Sequence, residues 1–109
     1  MNKGIRLLTL SVLALNGCSL KMAALRSTAD LLDRGAAAFY EEEDVPLAQN
    51  SMAGHLKLLE ILLKNDPANP KLLLNAARGF GGYAFLFLED KEPQRAKIFY
   101  ARGKGRVCN

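Results

Sequence analysis

The side chains in this sequence that could act as nucleophiles, proton carriers or metal ligands are few and widely separated. The single histidine is His55, and the two cysteines are Cys18 and Cys108. A metal site or a catalytic centre needs several such groups at a matching spacing, and His55 has no companion histidine or cysteine. We therefore interpret His55 as structural. The sequence predicts no enzyme, no metal site and no cofactor.

Residues 41–44 carry four acidic side chains in a row, Glu-Glu-Glu-Asp. Carboxylates can bind a cation, but neighbours on a solvated turn lack the convergent geometry that a cation requires. Acidic residues also suit the start of a helix, where exposed amides carry partial positive charge. The run therefore indicates a turn leading into a helix rather than a metal site.

The most distinctive segment is residues 78–85, which read Arg-Gly-Phe-Gly-Gly-Tyr-Ala-Phe. Its glycines satisfy the G-x-G-x-x-A pattern of dinucleotide-binding turns, but that motif requires a preceding strand. Here Pro70 opens a helical run and no strand pattern lies upstream. We therefore reject dinucleotide binding.

Glycines inside a helix cost about 0.8–1.0 kcal/mol each relative to alanine, so their presence needs a reason. One interpretation is close helix packing, with Phe80, Tyr83 and Phe87 filling the core. The other is a groove for a partly apolar ligand, lined by Tyr83 or Phe85. Both interpretations stay open, and the candidate ligand-binding residues are Gly79, Gly82, Tyr83, Phe85 and Arg102.

The end of the chain is basic, and Arg95, Arg102 and Arg106 fall on one helix face. This face is either simply solvated or meets an anionic ligand or partner, because the planar guanidinium pairs with carboxylates. The whole chain has a formal net charge of +4, of which Lys3 and Arg6 supply two positive charges. So modest an excess predicts no nucleic-acid binding.

The first seventeen residues have the pattern of a secretory signal peptide. Lys3 and Arg6 precede an apolar run over residues 7–15, which is far shorter than the ~20 residues of a transmembrane helix. The sequence Leu-Asn-Gly-Cys at residues 15–18 resembles the lipobox of bacterial lipoproteins, although Asn16 departs from the usual small or apolar residue. The resemblance implies cleavage before Cys18, whose thiol then carries the lipid anchor. The alternative is an ordinary secretory signal in which the cysteine falls by chance.

Lipidation of Cys18 places the protein on the periplasmic side of a bacterial membrane. Ser19 is not the aspartate that retains lipoproteins in the inner membrane, which favours the outer membrane. Because Cys18 would be committed to a thioether, we do not pair it with Cys108 in a disulfide. An unpaired Cys108 is unusual in an oxidising compartment.

Everything after Cys18 is predicted to be helical, in about four helices separated by short turns. Apolar residues recur every three or four positions from Met22 to Phe39, although Gly35 weakens this first helix. The second helix is predicted over residues 46–64, with Lys57, Glu60 and Lys64 on the polar face opposite its apolar stripe.

The third helix is predicted over residues 70–88, with Asn69 as its N-cap and Pro70 in its first turn. It is apolar almost all round, which indicates a buried central helix. Its thin polar stripe contains Lys71, Asn75 and Arg78, with Gly82 continuing the line. A fourth helix follows Pro93. This rhythm of helix, short turn and helix is typical of tetratricopeptide-like antiparallel pairs, so the fold class is all-α, with a helical domain over residues 18–109.

The order and spacing of several segments are similar to the T component of tripartite ATP-independent periplasmic (TRAP) transporters. The similarity is densest from Leu56 to Gly103 and is carried by residues 44–46, 56–63, 66–70, 72–80, 83–85, 95–97 and 100–103. It implies a tetratricopeptide-like periplasmic lipoprotein that binds the transporter's substrate-binding P component and helps to deliver an organic, partly apolar ligand. The family's domain continues through further helices, so we expect this chain to be truncated.

Truncation has a physical consequence, because helical repeats bury their apolar faces against neighbours. We expect much of the fourth helix to be exposed and the product to be oligomeric or poorly soluble. The leading hypothesis is a non-catalytic accessory subunit of a solute-uptake system. The alternative is a generic helical-repeat lipoprotein that scaffolds envelope proteins, and a ligand groove beside Gly79–Tyr83 would distinguish the two.

Overall fold

The computed structural model describes the backbone of residues 2–108, and within that range every side chain except those of residues 14–16 and 18. The predicted lipidation site, the side chain of Cys18, therefore lies outside the described part. The described residues form helices and no strand, which confirms the all-α fold class. The helices are α1 (Asn2–Gly35), α2 (Ala37–Tyr40), α3 (Val45–Asn65), α4 (Pro70–Tyr83) with a π-helical segment (Ala84–Leu88), and α5 (Pro93–Val107).

Helix α1 is longer at its start and shorter at its end than the sequence predicts. It runs without a break from Asn2, so the predicted leader and the first predicted helix are one element. It ends at Gly35, and the chain resumes as the single turn α2, so the prediction of one helix through Phe39 is wrong. Glycine is the weak point because it loses more conformational freedom in a helix than any other residue. Among residues 2–108, no helix has the length and hydropathy of a membrane span.

The starts of α3 and α4 are fixed by side chains next to them in the sequence. The Asp44 carboxylate accepts a hydrogen bond from the backbone N–H of Leu47 at 2.8 Å, which confirms that the acidic run is a turn before a helix. The Asn69 side chain accepts hydrogen bonds from the N–H groups of Lys71 and Leu72, as predicted for an N-cap. Both helices have proline in the first turn, where the missing N–H costs no helical hydrogen bond.

Helices α3, α4 and α5 form successive antiparallel pairs. Gly79 faces Leu56 across the α3–α4 contact, and both residues lie ten positions from the turn at residues 66–69. Between α4 and α5, the ring of Phe99 packs on Tyr83 while Gly103 lies against the backbone of Ala77. The core between these helices is apolar, and its members with the least exposed side chains are Ala29, Leu59, Leu72, Ala76, Phe80, Ala84 and Leu88.

Part of the polar stripe of α4 contacts α1 and α2, while Lys71 and Arg78 also remain exposed to solvent. The Lys71 ammonium pairs with Asp30 at 2.5 Å, and Asn75 donates to the Asp33 carboxylate at 2.9 Å. Gly82, at the end of the stripe, lies beside the Tyr40 hydroxyl. These contacts join α1 and α2 to the helical pairs, and the one with Asp33 gives the buried Asn75 the partner that a buried polar group needs.

The last part of the predicted third helix is π-helical. The backbone N–H of Glu89 donates to the carbonyl of Ala84 at 2.9 Å, a five-residue step in place of the α-helical four. The segment keeps Ala84 and Leu88 in the core and leaves Phe85 and Leu86 exposed. On α5, the exposure predicted for the fourth helix is present, since large apolar side chains such as Ile98 and Val107 face solvent.

Candidate functional site

A small open cleft lies where α3, α4 and α5 meet. We call it the aromatic cleft. Its volume is about 90 Å³. It is lined by aromatic rings and by ionic side chains, namely Ala53, Leu56, Lys57, Glu60, Phe80, Tyr83, Arg95, Phe99 and Arg102. Two of the residues predicted to bind a ligand, Tyr83 and Arg102, are therefore brought together here.

Three aromatic rings from α4 and α5 form one wall of the aromatic cleft. The rings of Tyr83 and Phe99 stack with centroids 5.3 Å apart, and Phe80 meets Phe99 edge-on at 5.6 Å. Phe80 and Tyr83 are buried, so these rings belong to the protein core as well as to the cleft. Offset and edge-on ring pairs add about 0.5–1.5 kcal/mol beyond their buried area, so this wall is held in place by packing.

The rest of the lining is ionic and centres on Glu60. The Glu60 carboxylate pairs with Arg102, with Lys57 at 2.9 Å and with Arg106 at 3.6 Å. The Arg102 guanidinium also lies over the ring of Phe80, 4.4 Å from its centroid. This arrangement joins α3 to α5 by a salt-bridge cluster on top of an aromatic wall.

Glu60 was predicted on the polar face opposite the apolar stripe, but the structure places it at the edge of the core. Its side chain is only 15 % exposed, and the side chains of Arg102 and Arg106 reach over it from α5. The signal was present in the sequence: Glu60 lies one turn after Leu56, which belongs to the apolar stripe. Residues one turn apart share a helix face, so Glu60 borders the core and needs a buried partner.

The environment of Glu60 keeps it ionised. Partial burial raises its pKa, but hydrogen bonds and charge interactions from Lys57 and Arg102 outweigh this effect, so the pKa lies below its ordinary value of 4.5. Arg102 is thus already neutralised by a carboxylate of the protein. An anionic ligand in the aromatic cleft would have to displace Glu60 from this cation.

The remaining predicted ligand residues lie outside the aromatic cleft. A Cβ atom on Gly79 would stand 2.6 Å from the Leu56 side chain, and one on Gly82 would stand 3.3 Å from the Tyr40 hydroxyl. The space left by both glycines is therefore occupied by neighbouring helices, as the packing interpretation predicts. Phe85 is 67 % exposed on the π-helical segment, away from Tyr83.

The close approach of α5 to α4 depends on a glycine that was not among the predicted site residues. A Cβ atom on Gly103 would stand 3.0 Å from the backbone carbonyl of Ala77 and 3.4 Å from Phe80. Gly103 thereby allows Arg102, its neighbour in sequence, to reach Glu60 across the cleft. The only sequence signal for this approach was the glycine itself, because a residue without a Cβ lets two backbones come close.

The groups of the aromatic cleft suit packing and ion pairing. Among the described residues, no three His, Cys, Asp or Glu side chains converge as metal ligands do. Sites that bury drug-sized molecules have volumes of about 300–1,000 Å³, so a cleft of about 90 Å³ accommodates only a small group.

The comparisons with known proteins give one match. The family model described as "TAtT: TRAP transporter T-component" matches residues 41–109, which is more than half of the chain. The matched region includes α3, α4 and α5, and therefore every residue that lines the aromatic cleft. Neither the curated proteins nor the solved structures gave a significant match.

Proposed function

The chain belongs to the family of TRAP transporter T-components, and from this membership we propose that it is a non-catalytic accessory lipoprotein that binds the transporter's substrate-binding component. The observation that carries the proposal is the family match over residues 41–109. In this proposal the protein is held on the periplasmic side of the outer membrane through lipidated Cys18, and residues 1–17 are its signal peptide.

The proposed lipid anchor is supported by the leader. Several acyl chains on one cysteine would bind a membrane firmly, because each buried methylene contributes about 0.8 kcal/mol and one chain alone is marginal. Growth of cells with labelled palmitate tests the anchor, and we expect the label on the wild-type chain. Cys18→Ala should abolish labelling, whereas Cys108→Ala is the matched control and should keep it. An unlabelled wild-type chain, or label retained in Cys18→Ala, would refute the anchor.

The proposed binding of the substrate-binding component is supported by an exposed apolar residue on α5. Ile98 and Val107 are both exposed, but they are nine positions apart and therefore lie on opposite sides of the helix, so they do not form one patch. We place the partner contact around Ile98, whose side chain is 60 % exposed. Lys97, the residue before it, is also exposed and adds a positive charge beside this contact.

A pull-down with the substrate-binding component of a TRAP transporter from the same organism tests the partner. We expect association at micromolar concentration, and Ile98→Lys should weaken it at least tenfold because a charge would enter the apolar contact. Leu31→Lys is the control, since Leu31 is 70 % exposed, against 60 % for Ile98, but lies on α1. Absence of association by the wild-type chain would count against the accessory role.

The alternative function is a scaffold that binds envelope proteins and carries no ligand. The filled space at Gly79 and Gly82 and the small aromatic cleft favour it over ligand delivery through Tyr83 and Arg102. The two functions differ in an observable way. A scaffold binds its protein partners unchanged in the presence of small molecules, whereas a delivery subunit binds a ligand of its own.

A further inference from the structure

A second cleft opens on the other side of α4, between the end of α1, α2 and α3. We call it the polar cleft. Its volume is about 260 Å³, almost three times that of the aromatic cleft. The residues that could recognise a ligand there are Asp33, Phe39, Tyr40, His55, Asn75 and Arg78. They come from four helices, so the polar cleft forms only in the folded chain.

Asn75 is the buried polar group of this cleft, with only 6 % of its surface exposed. Its amide nitrogen donates to the Asp33 carboxylate and to the carbonyl of Lys71, each at 2.9 Å, so both N–H groups are used. Its Oδ1 accepts no hydrogen bond among residues 2–108. Every fully buried polar side-chain atom in that part of the chain has a partner, so Oδ1 cannot be fully buried. The oxygen is therefore accessible from the cleft as a fixed acceptor.

The cleft also holds two opposite charges with unused hydrogen-bonding capacity. One Asp33 carboxylate oxygen accepts from Asn75, and the second has no partner within the described chain. Arg78 makes no ion pair or side-chain hydrogen bond in the same part of the structure. An acceptor-rich end at Asp33 and Asn75 thus shares the cleft with the five-donor guanidinium of Arg78.

The remaining wall is aromatic and uncharged. The His55 ring packs on Phe39 with centroids 4.5 Å apart. Burial lowers the pKa of His55 from its ordinary value of 6.5, so the ring is neutral at pH 7. The charges presented to a ligand at neutral pH are therefore those of Asp33 and Arg78.

We propose that the polar cleft binds a small zwitterion of the α-amino-acid type. The ligand carboxylate pairs with Arg78, the ammonium group donates to Asp33 and to Asn75 Oδ1, and the side chain lies along Phe39. The volume fits this class, because it falls just below the range of about 300–1,000 Å³ of drug-sized sites. Binding at this cleft requires neither the lipid anchor nor the substrate-binding component, so it goes beyond the proposed accessory role.

The test uses the full chain in a non-ionic detergent and follows the backbone amide signal of Gly79 and the side-chain amide signal of Asn75 by NMR. L-Serine is the zwitterionic probe, while lactate lacks its ammonium group and ethanolamine lacks its carboxylate. We expect saturable shifts with L-serine and at least about tenfold weaker binding of the other two, the effect of losing one charge-assisted hydrogen bond. No saturation by about 10 mM L-serine, or equal binding of lactate, would overturn the proposal.

A charge-matched pair of variants separates the cleft from nonspecific attraction. Arg78 is exposed and unpaired in the described structure, so Arg78→Gln should fold normally and bind L-serine about tenfold more weakly. Lys97→Gln removes the same charge from α5 and should bind like the wild type. If both variants bind L-serine equally, Arg78 is not a ligand contact and the proposed site is wrong.

Discussion

Replacing Glu60 with glutamine removes the centre of the salt-bridge cluster between α3 and α5 while keeping the size of the side chain. The wild-type carboxylate faces Lys57, Arg102 and Arg106 at once. In Glu60→Gln these cations lose their counter-charge, and Arg102 keeps only its contact with the aromatic wall. We therefore expect α5 to be held less tightly and the whole chain to unfold more easily.

The magnitude follows from the burial of each partner. Removing one member of a buried ion pair costs about 3–5 kcal/mol, whereas an exposed pair contributes about 0–1 kcal/mol. The Glu60 side chain is 15 % exposed, but those of Arg102 and Lys57 are 39 % and 74 % exposed, so solvent screens much of the attraction. We expect a loss of about 1–2 kcal/mol in the free energy of unfolding. For a domain of this size, that corresponds to a fall in Tm of roughly 4–16 °C.

The assay is urea and thermal unfolding at pH 7, followed by far-UV circular dichroism. Glu92→Gln is the matched control, because it breaks the pair with Arg95, in which both side chains are about half exposed. We expect Glu60→Gln to be clearly less stable than Glu92→Gln. If the two variants are equally stable, the cluster around Glu60 does not hold α5 and our reading of this contact is wrong.

The same variant makes a prediction about pH. Because the pKa of Glu60 lies below its ordinary value of 4.5, its stabilising effect is complete above that pH. The stabilising effect is lost as the pH falls through the lowered pKa, because the Glu60 carboxylate then becomes protonated in the folded state and loses its charge. Wild type should therefore lose more stability than Glu60→Gln when the pH is reduced from neutral to below 4.5. Parallel losses in the two proteins would contradict the assignment.

Two further predictions concern α5 and α3. Gly103→Ala should destabilise the chain by about 1–2 kcal/mol, because the added Cβ would press on the Ala77 carbonyl. Gly54→Ala has open space around it and should stabilise α3 by up to ~1 kcal/mol. Urea unfolding of both variants measures the two effects, and equal effects would refute this prediction. Burial lowers the pKa of His55, so the unfolded chain binds a proton there more readily than the folded chain. As the pH is reduced from above 6.5, the free energy of unfolding should therefore decrease in wild type and decrease less in His55→Gln. An identical pH profile in the two proteins would show that the His55 ring, which packs on Phe39, is not desolvated.

The parts of the fold that could be predicted depend on residues close together in the sequence. The cap at Asn69, the proline that follows it and the apolar periodicity of α3 are local signals, and the structure confirms the two helices that they define. The all-α class follows from the same signals. The break after Gly35 was less predictable, because a glycine only weakens a helix and the surrounding contacts decide where it ends.

The parts that escaped prediction depend on partners far away in the sequence. Glu60 meets Arg102, and Asn75 meets Asp33, each across about forty residues. Periodicity shows which face of a helix is polar, but it does not show which helix will cover that face. For this reason Glu60 and Asn75 were each predicted only as members of a polar stripe, without their partners.

The candidate site could be predicted only in part, as was the case for the fold. The aromatic character of residues 80–87 and the basic face of α5 identified Tyr83 and Arg102, which the structure places in one cleft. Gly79 and Gly82 required knowledge of their neighbours, since the same missing side chain either opens a groove or admits another helix. Here Leu56 and Tyr40 fill the space.

The continuity of α1 has a mechanical consequence for a chain anchored at Cys18. The helix is unbroken from residue 18 to Leu25, where it begins to pack on the core, and seven residues of α-helix span about 10 Å. Such a rod is a rigid spacer rather than a flexible linker. It would limit how far the bundle can move from the lipid, and so keep α5 within a short, set distance of the membrane surface.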